Sequence, residues 1–248
     1  MKSNPSQDGP AGTGLAAGDD FYMMIFSAQR AWNRPKYTHT FATFIRASNQ
    51  KVDGQQNCQN DHSGPTSGLA GCDFETHTIS WLAAKKKVCL LRLWPEPGAN
   101  LDLTTSLEWA LSVQSRISMW GPFQIQLPLY EKALVQKARL ESGTVQYKVF
   151  DPGYRPDIAS SCIHGVCDID QERGPLRTWF RYGESASRSI AVFFLPWVIN
   201  PHQNHRWVSE RLGLAKYPII YRQLSTPVLG LELSAAAAPT PAVQAQAS

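Results

Sequence analysis

One segment, residues 157–168 (DIASSCIHGVCD), carries the residue most suited to covalent chemistry, Cys162. The segment follows Pro156 and offers three candidate N-caps, Asp157, Ser160 and Ser161, so the pattern predicts the start of a short helix. Cys162 would lie in the first turn, where unpaired backbone N–H groups and the helix dipole favour a thiolate. Such a thiolate suits nucleophilic catalysis, and the same N–H groups could hold an oxyanion.

A structural interpretation of Cys162 stands beside the catalytic one. Most free cysteines are small buried apolar residues that take part in no reaction. The two interpretations differ in whether an imidazole lies close enough to take the thiol proton.

Two histidines on predicted strands could supply that imidazole. Residues 37–46 alternate well, and His39 falls on the more apolar face of this strand. His77 lies on the next predicted strand, residues 74–82. Thiol catalysis needs an imidazole to move the proton and a second polar group to orient it. Because adjacent strands and a docked helix can converge, we expect His39, His77 and Cys162 to form one site.

The order of these residues resembles the circularly permuted papain-like thiol enzymes, which include lecithin:retinol acyltransferase and permuted relatives of NlpC-type peptidases. Their nucleophile motif is Asn-Cys-Glu-His-Phe-Val, against SCIHGV at residues 161–166. Their base histidine opens a strand similar to residues 39–44 (HTFATF). The resemblance implies a papain-like permuted topology, with Cys162 as nucleophile, His39 as general base and His77 as the polar orienter.

Alternation and apolar runs predict an α+β fold, with a mainly antiparallel sheet and helices packed on one side. The predicted strands are residues 21–26, 37–46, 74–82, 88–94, 144–150 and 189–195, with a last short edge strand at 217–222.

Two longer helices are expected between the strands. The pair Thr105 and Glu108 has capping-box spacing and predicts a helix that runs to about Arg116. Pro128 at the first helical position predicts a second helix that ends near Gly143. The dipeptide at 121–122, Gly-Pro, predicts a turn between them.

The length of 248 residues accommodates one sizeable domain, which we place at residues 20–233. Residues 1–19 and the Ala/Pro-rich tail at 234–248 are expected to be disordered. A polar insertion at 48–73 separates two strands.

That insertion leaves two further possibilities open. Cys58, His62 and Cys72 could bind a metal together with His77, although their spacing matches no standard zinc finger. A disulfide between Cys58 and Cys72 would require an oxidising compartment. Because of this spacing we predict no metal, and we predict no cofactor. The sequence also lacks the phosphate loop, G-x-S-x-G elbow and paired-carboxylate motif that other hydrolases or nucleotide-binding proteins would need.

Charge and cysteine content bear on partners and location. The 24 basic and 20 acidic residues leave a net charge of +4, and the one basic run, residues 85–87, is too short to suggest nucleic acid. The longest apolar run, residues 189–199, is too short to span a bilayer and contains Pro196. The N-terminus lacks the apolar core of a signal peptide, and five cysteines fit reduced thiols, so we expect a cytoplasmic protein.

Two functions follow as hypotheses. In the first, the chain is a thiol-dependent hydrolase or acyltransferase that attacks an amide, ester or thioester carbonyl of a small molecule or peptide. In the second, it is a non-catalytic α+β module that keeps the fold and binds a ligand or partner. A reactive thiolate at Cys162 would separate the first from the second.

Overall fold

The structure, a computed structural model of the chain, describes residues 18–30, 38–49, 72–86, 94–149, 158–173, 176 and 181–224. The strands in these ranges are β1 (Asp20–Gln29), β2 (Thr38–Asn49), β3 (Cys72–Ile79), β4 (Trp81–Ala83), β5 (Glu96–Asn100), β6 (Arg116–Ile125), β7 (Gln146–Tyr147), β8 (Ala159–Ser160) and β9 (Ile219–Arg222). The α-helices are α1 (Leu103–Ser112), α2 (Leu127–Glu141), α3 (Cys162–Cys167), α4 (Glu184–Phe193) and α5 (Arg206–Arg211). Short 3-10 helices cover Asp168–Arg173, Leu195–Trp197 and Leu214–Lys216.

Two sheets and these helices form the predicted α+β fold. The main sheet has the strand order β3-β2-β1-β6-β9, and its neighbours are antiparallel except for β6 and β9. A smaller sheet has the order β4-β5-β7-β8. The α+β class and the mainly antiparallel sheet are therefore confirmed. The short edge strand predicted at 217–222 is β9, which begins after Pro218.

Helices cover the main sheet on both faces, so the expectation of helices on one side is wrong. Met23 and Ile25 of β1 pack with residues of α2, α3 and α4 on what we call the α2 face. Met24 and Phe26 pack with residues of α1 and α5 on the opposite face, the α1 face. A strand buried on both faces is apolar almost throughout rather than alternating, as β1 is.

Residues 189–195 are not the predicted strand, because most of them belong to α4. Ala186, Ile190 and Phe194 are buried at the four-residue spacing of one helix face. A short run of bulky apolar residues satisfies both the strand and the helix pattern, which explains the wrong prediction.

Several predicted strands differ in extent. The strand at 74–82 is interrupted at Ser80, whose backbone N–H donates to Asn100 Oδ1 instead of continuing the ladder. The strand predicted at 144–150 is reduced to β7. The outer residues of the predicted insertion, 48–49 and 72–73, are paired in β2 and β3.

Other predictions fall mainly on residues outside the described ranges. These residues are 1–17, 50–71, 87–93 and 225–248, which hold most of the predicted disordered ends, the insertion and the strand at 88–94.

The prediction that Thr105 is the N-cap of the first helix is wrong by three residues. Asp102 is the N-cap, since its Oδ1 accepts a hydrogen bond of 2.8 Å from Thr105 N–H. The helix ends at Ser112, and Arg116 begins β6, a strand that the Gly-Pro turn signal concealed. The β1–β6 register shifts between Met23 and Ile25, opposite that dipeptide, and such irregularities admit proline within a strand. The second helix, α2, is confirmed with proline in its first turn.

Candidate functional site

The helix predicted to carry the thiol is present, and Cys162 is its first residue. The Ser161 hydroxyl accepts a hydrogen bond of 3.2 Å from His164 N–H, and the Ser161 carbonyl accepts one of 2.8 Å from Gly165 N–H. These are the contacts of an N-cap, so Ser161 is the cap among the three candidates. Cys162 is partly buried and is present as a thiol.

Cys162 lines a small cavity between α3, β2 and the start of α4. The cavity has a volume of about 20 Å³, which holds about one water molecule. Its lining residues are Thr38, Thr40, Tyr147, Val149, Ser161, Cys162, Ile163, Tyr182 and Gly183. Hydroxyl groups therefore provide most of the polar lining.

The lining hydroxyls are poorly suited to act as bases. The Ser187 hydroxyl donates to the Phe26 carbonyl over 2.9 Å, which uses its only proton. Thr40 must therefore donate in its 3.0 Å hydrogen bond to Ser187. Burial raises the pKa of Tyr182, so this phenol keeps its proton at neutral pH.

His39 lies on the opposite side of β2 from the Cys162 cavity. Successive strand residues point to opposite faces, and it is Thr38 and Thr40 that line the cavity. The His39 ring packs on the α1 face, with ring centroids 5.4 Å from Phe41 and 5.3 Å from Trp109.

His39 is also held in a neutral form. Its Nε2 lies 2.8 Å from the Ser80 hydroxyl, and its side chain is almost fully buried. Burial lowers the pKa of His39 to about 3. The structure does not bring this imidazole to the thiol.

His77 lies on the same face as the cavity but at a distance along the sheet. It is opposite Phe44, and Phe44 is four residues beyond Thr40, which corresponds to about 13 Å of strand. Its Nε2 lies 2.8 Å from Glu75 Oε1. The three residues that we expected to form one site are therefore separated, and His77 belongs to another polar group.

Sequence reasoning missed the residues that do surround Cys162. The alternation of β2 was visible and separates Thr38 and Thr40 from His39. The sequence does not predict which face of β2 packs against α3, because α3 is remote from β2 in sequence. Tyr182 lies just before α4. The sequence pattern predicted a strand where most of α4 lies, so it did not place Tyr182 at a helix start beside the cavity.

A larger groove lies between α2 and the 3-10 helix Asp168–Arg173. Its volume is about 550 Å³, within the range of ligand sites, and Val135 and Gln136 of α2 form part of its floor. The 3-10 helix Asp168–Arg173 forms one wall of the groove and is anchored by Asp170. This fully buried carboxylate accepts hydrogen bonds from Lys132 Nζ at 2.9 Å and from Trp197 Nε1 at 2.7 Å.

Within the described ranges, no three His, Cys, Asp or Glu side chains are grouped as metal ligands. No helix there has the length and apolarity to cross a membrane. Cys58 and His62, candidates for a metal site, lie outside these ranges.

The chain was compared with protein-family models, with curated proteins and with solved structures, and none of them matches it. The resemblance to permuted papain-like enzymes thus stays a prediction from the motifs around Cys162 and His39.

Proposed function

We propose that this chain is a non-catalytic α+β module that binds a ligand or partner and does not use Cys162 for turnover. The observation that carries the proposal is the alternation of β2, which directs Thr38 and Thr40 to the cavity and His39 to the other face. Threonine hydroxyls cannot take a thiol proton at neutral pH, because they are far weaker bases than imidazole.

Two further observations support the proposal. The cavity beside Cys162 has room for about one water molecule. The groove beside α2, in contrast, is large enough for a small molecule or a peptide side chain. We place the module in the cytoplasm, because an odd number of cysteines, five, suits reduced thiols better than a disulfide framework.

Site-resolved alkylation tests this proposal. Labelling of Cys162 by iodoacetamide is followed by mass spectrometry as the pH is raised, in the wild type, in His39→Gln and in the control His202→Gln, which changes an exposed histidine. We expect the rise typical of an ordinary thiol, whose pKa is about 8.5, unchanged by either substitution. A reactive thiol at neutral pH that becomes ordinary in His39→Gln, but not in His202→Gln, would contradict the proposal.

The second candidate is the thiol-dependent hydrolase or acyltransferase, and one observation favours it. Cys162 begins a helix that is capped by Ser161, the location expected of an activated thiol. The catalytic proton would then need an acceptor other than His39 or His77. Incubation with p-nitrophenyl acetate distinguishes the two functions. An acetyl adduct on Cys162 that forms and turns over, and is lost in Cys162→Ser, supports the enzyme. Its absence supports the module.

A further inference from the structure

The groove between α2 and the 3-10 helix Asp168–Arg173, which we call the α2 groove, has apolar side chains on both walls. Val135 of α2 is 70% exposed, and Pro128 and Glu131 on the same helix are exposed as well. Spacings of three and four residues put these side chains on one helix face. Ile169 lines the groove from the 3-10 helix. The volume of about 550 Å³ and these walls suit a small organic molecule with an apolar part.

The two cations of the α2 groove already lie against carboxylates. Lys132 Nζ is 2.9 Å from Asp170 Oδ1 and 2.7 Å from Glu172 Oε2. Its hydrogen bonds to Glu172 and Asp170 raise the pKa of Lys132, so the side chain stays charged and paired at neutral pH. Arg139 Nη2 is 4.0 Å from Asp168 Oδ2. An anionic ligand would therefore have to compete with carboxylates of the chain for both cations.

Carboxylates outnumber cations in and beside the α2 groove. The two basic side chains are accompanied by four acidic ones, those of Glu131, Asp168, Asp170 and Glu172. The formal charge there is therefore −2, although the whole chain carries +4. The Glu131 carboxylate is exposed and forms no ion pair with another described residue. It is four residues from Val135, so a carboxylate that lacks a described cation partner lies beside an apolar wall.

We propose that the α2 groove binds a small organic cation, a primary ammonium group attached to an apolar stem. The ammonium group pairs with the Glu131 carboxylate, and the stem packs against Val135 and Ile169. The net negative charge of the groove disfavours an anion of the same size. The inference rests on the proposed function, because it names the class of ligand that the module binds, and it concerns a site separate from the Cys162 cavity.

Three probes that share a benzyl group and differ in charge test this proposal: benzylamine, benzyl alcohol and phenylacetate. Each is titrated into the full chain, and binding is followed by the methyl signals of Val135 in proton–carbon NMR spectra. We expect benzylamine to shift these signals with the highest affinity, benzyl alcohol to bind more weakly and phenylacetate to bind weakest. Because the apolar part is the same in all three probes, the order of affinity reports the charge that the groove prefers.

Charge reversal at Glu131 tests whether this carboxylate attracts the cation. Glu131→Lys should weaken benzylamine binding about tenfold, because an attraction is replaced by a repulsion. The matched control Glu108→Lys reverses an exposed carboxylate of α1, which packs on the opposite face of the sheet, and should leave the affinity unchanged. Glu131→Gln removes the charge and keeps the shape of the side chain, so it should weaken binding about threefold.

Three results would overturn the proposal. They are no shift of the Val135 methyl signals with benzylamine, binding of benzyl alcohol or phenylacetate as tight as that of benzylamine, or equal affinity for benzylamine in Glu131→Lys and Glu108→Lys. Both substitutions replace exposed side chains, so both variants should fold, which melting curves check. If benzylamine fails to bind while Cys162 alkylates as an ordinary thiol, the ligand class is wrong and the non-catalytic module stands.

Discussion

The buried imidazole of His39 should make the protein lose stability in mild acid. An unfolded chain binds a proton at His39 near the ordinary pKa of 6.5, whereas burial lowers the pKa in the folded protein to about 3. The stability contributed by the neutral side chain is complete above pH 6.5 and is lost as the pH falls towards about 3. Each pH unit in this interval corresponds to about 1.4 kcal/mol, which gives roughly 5 kcal/mol over the whole interval.

Urea unfolding at several pH values between about 7 and about 5 measures this loss. The wild type is compared with His39→Gln, which removes the titration but can still hydrogen-bond to Ser80, and with His202→Gln. Burial also lowers the pKa of His205, so the wild type loses additional stability as the pH falls. The difference between wild type and His39→Gln isolates His39. We expect this difference to change little near pH 7 and by up to about 1.4 kcal/mol per pH unit below about pH 6.

Parallel pH profiles for the wild type and His39→Gln would refute this reasoning. They would mean that His39 titrates alike in the folded and unfolded chain, as an accessible imidazole does. Such an imidazole could exchange protons near neutral pH, and the role of His39 as a general base would regain support.

Two further stability predictions concern single polar contacts. Asp170→Ala should lower the free energy of unfolding by about 2–4 kcal/mol, because Lys132 and the Trp197 indole N–H both lose their hydrogen bond to a buried carboxylate. Glu172→Gln, at an exposed carboxylate, should cost under about 1 kcal/mol. Urea unfolding measures both losses, and equal losses would contradict the assignment. Ser161→Ala should cost about 1 kcal/mol through the lost cap of α3, and Ser161→Asp should restore most of it, as thermal unfolding would show; no loss in the alanine variant would mean that the cap is not stabilising.

Local sequence signals predicted the parts of the site that local interactions determine. The helix start at Cys162 was predicted correctly, and Ser161 was one of the three candidate caps, because a cap depends on residues within one turn. The alternation of β2 was also predicted correctly, since it is a property of any extended chain. These signals do not specify which helix packs on which face of the sheet. The face on which α3 packs determines whether His39 or its neighbours Thr38 and Thr40 meet Cys162.

The errors in the fold have a similar cause. The residues of α4 include an apolar run that suggests a strand, and the Gly-Pro dipeptide within β6 suggests a turn. Tertiary contacts override these patterns, such as the hydrogen bond from Ser187 to the Phe26 carbonyl and the pairing of β6 with β1. The separation of His77 from Cys162 likewise depends on strand register, which one sequence does not specify.

The alternation of β2 also shows how small the difference between a thiol enzyme and a binding module can be in such a fold. Pairing on both sides, to β1 and to β3, fixes the register of β2, so its residues cannot exchange faces. From β2, an imidazole could enter the cavity only by substitution at position 38 or 40. Thr40→His would give Cys162 a neighbouring base at the expense of the Ser187 hydrogen bond, and would turn this scaffold into a starting point for a designed thiol hydrolase.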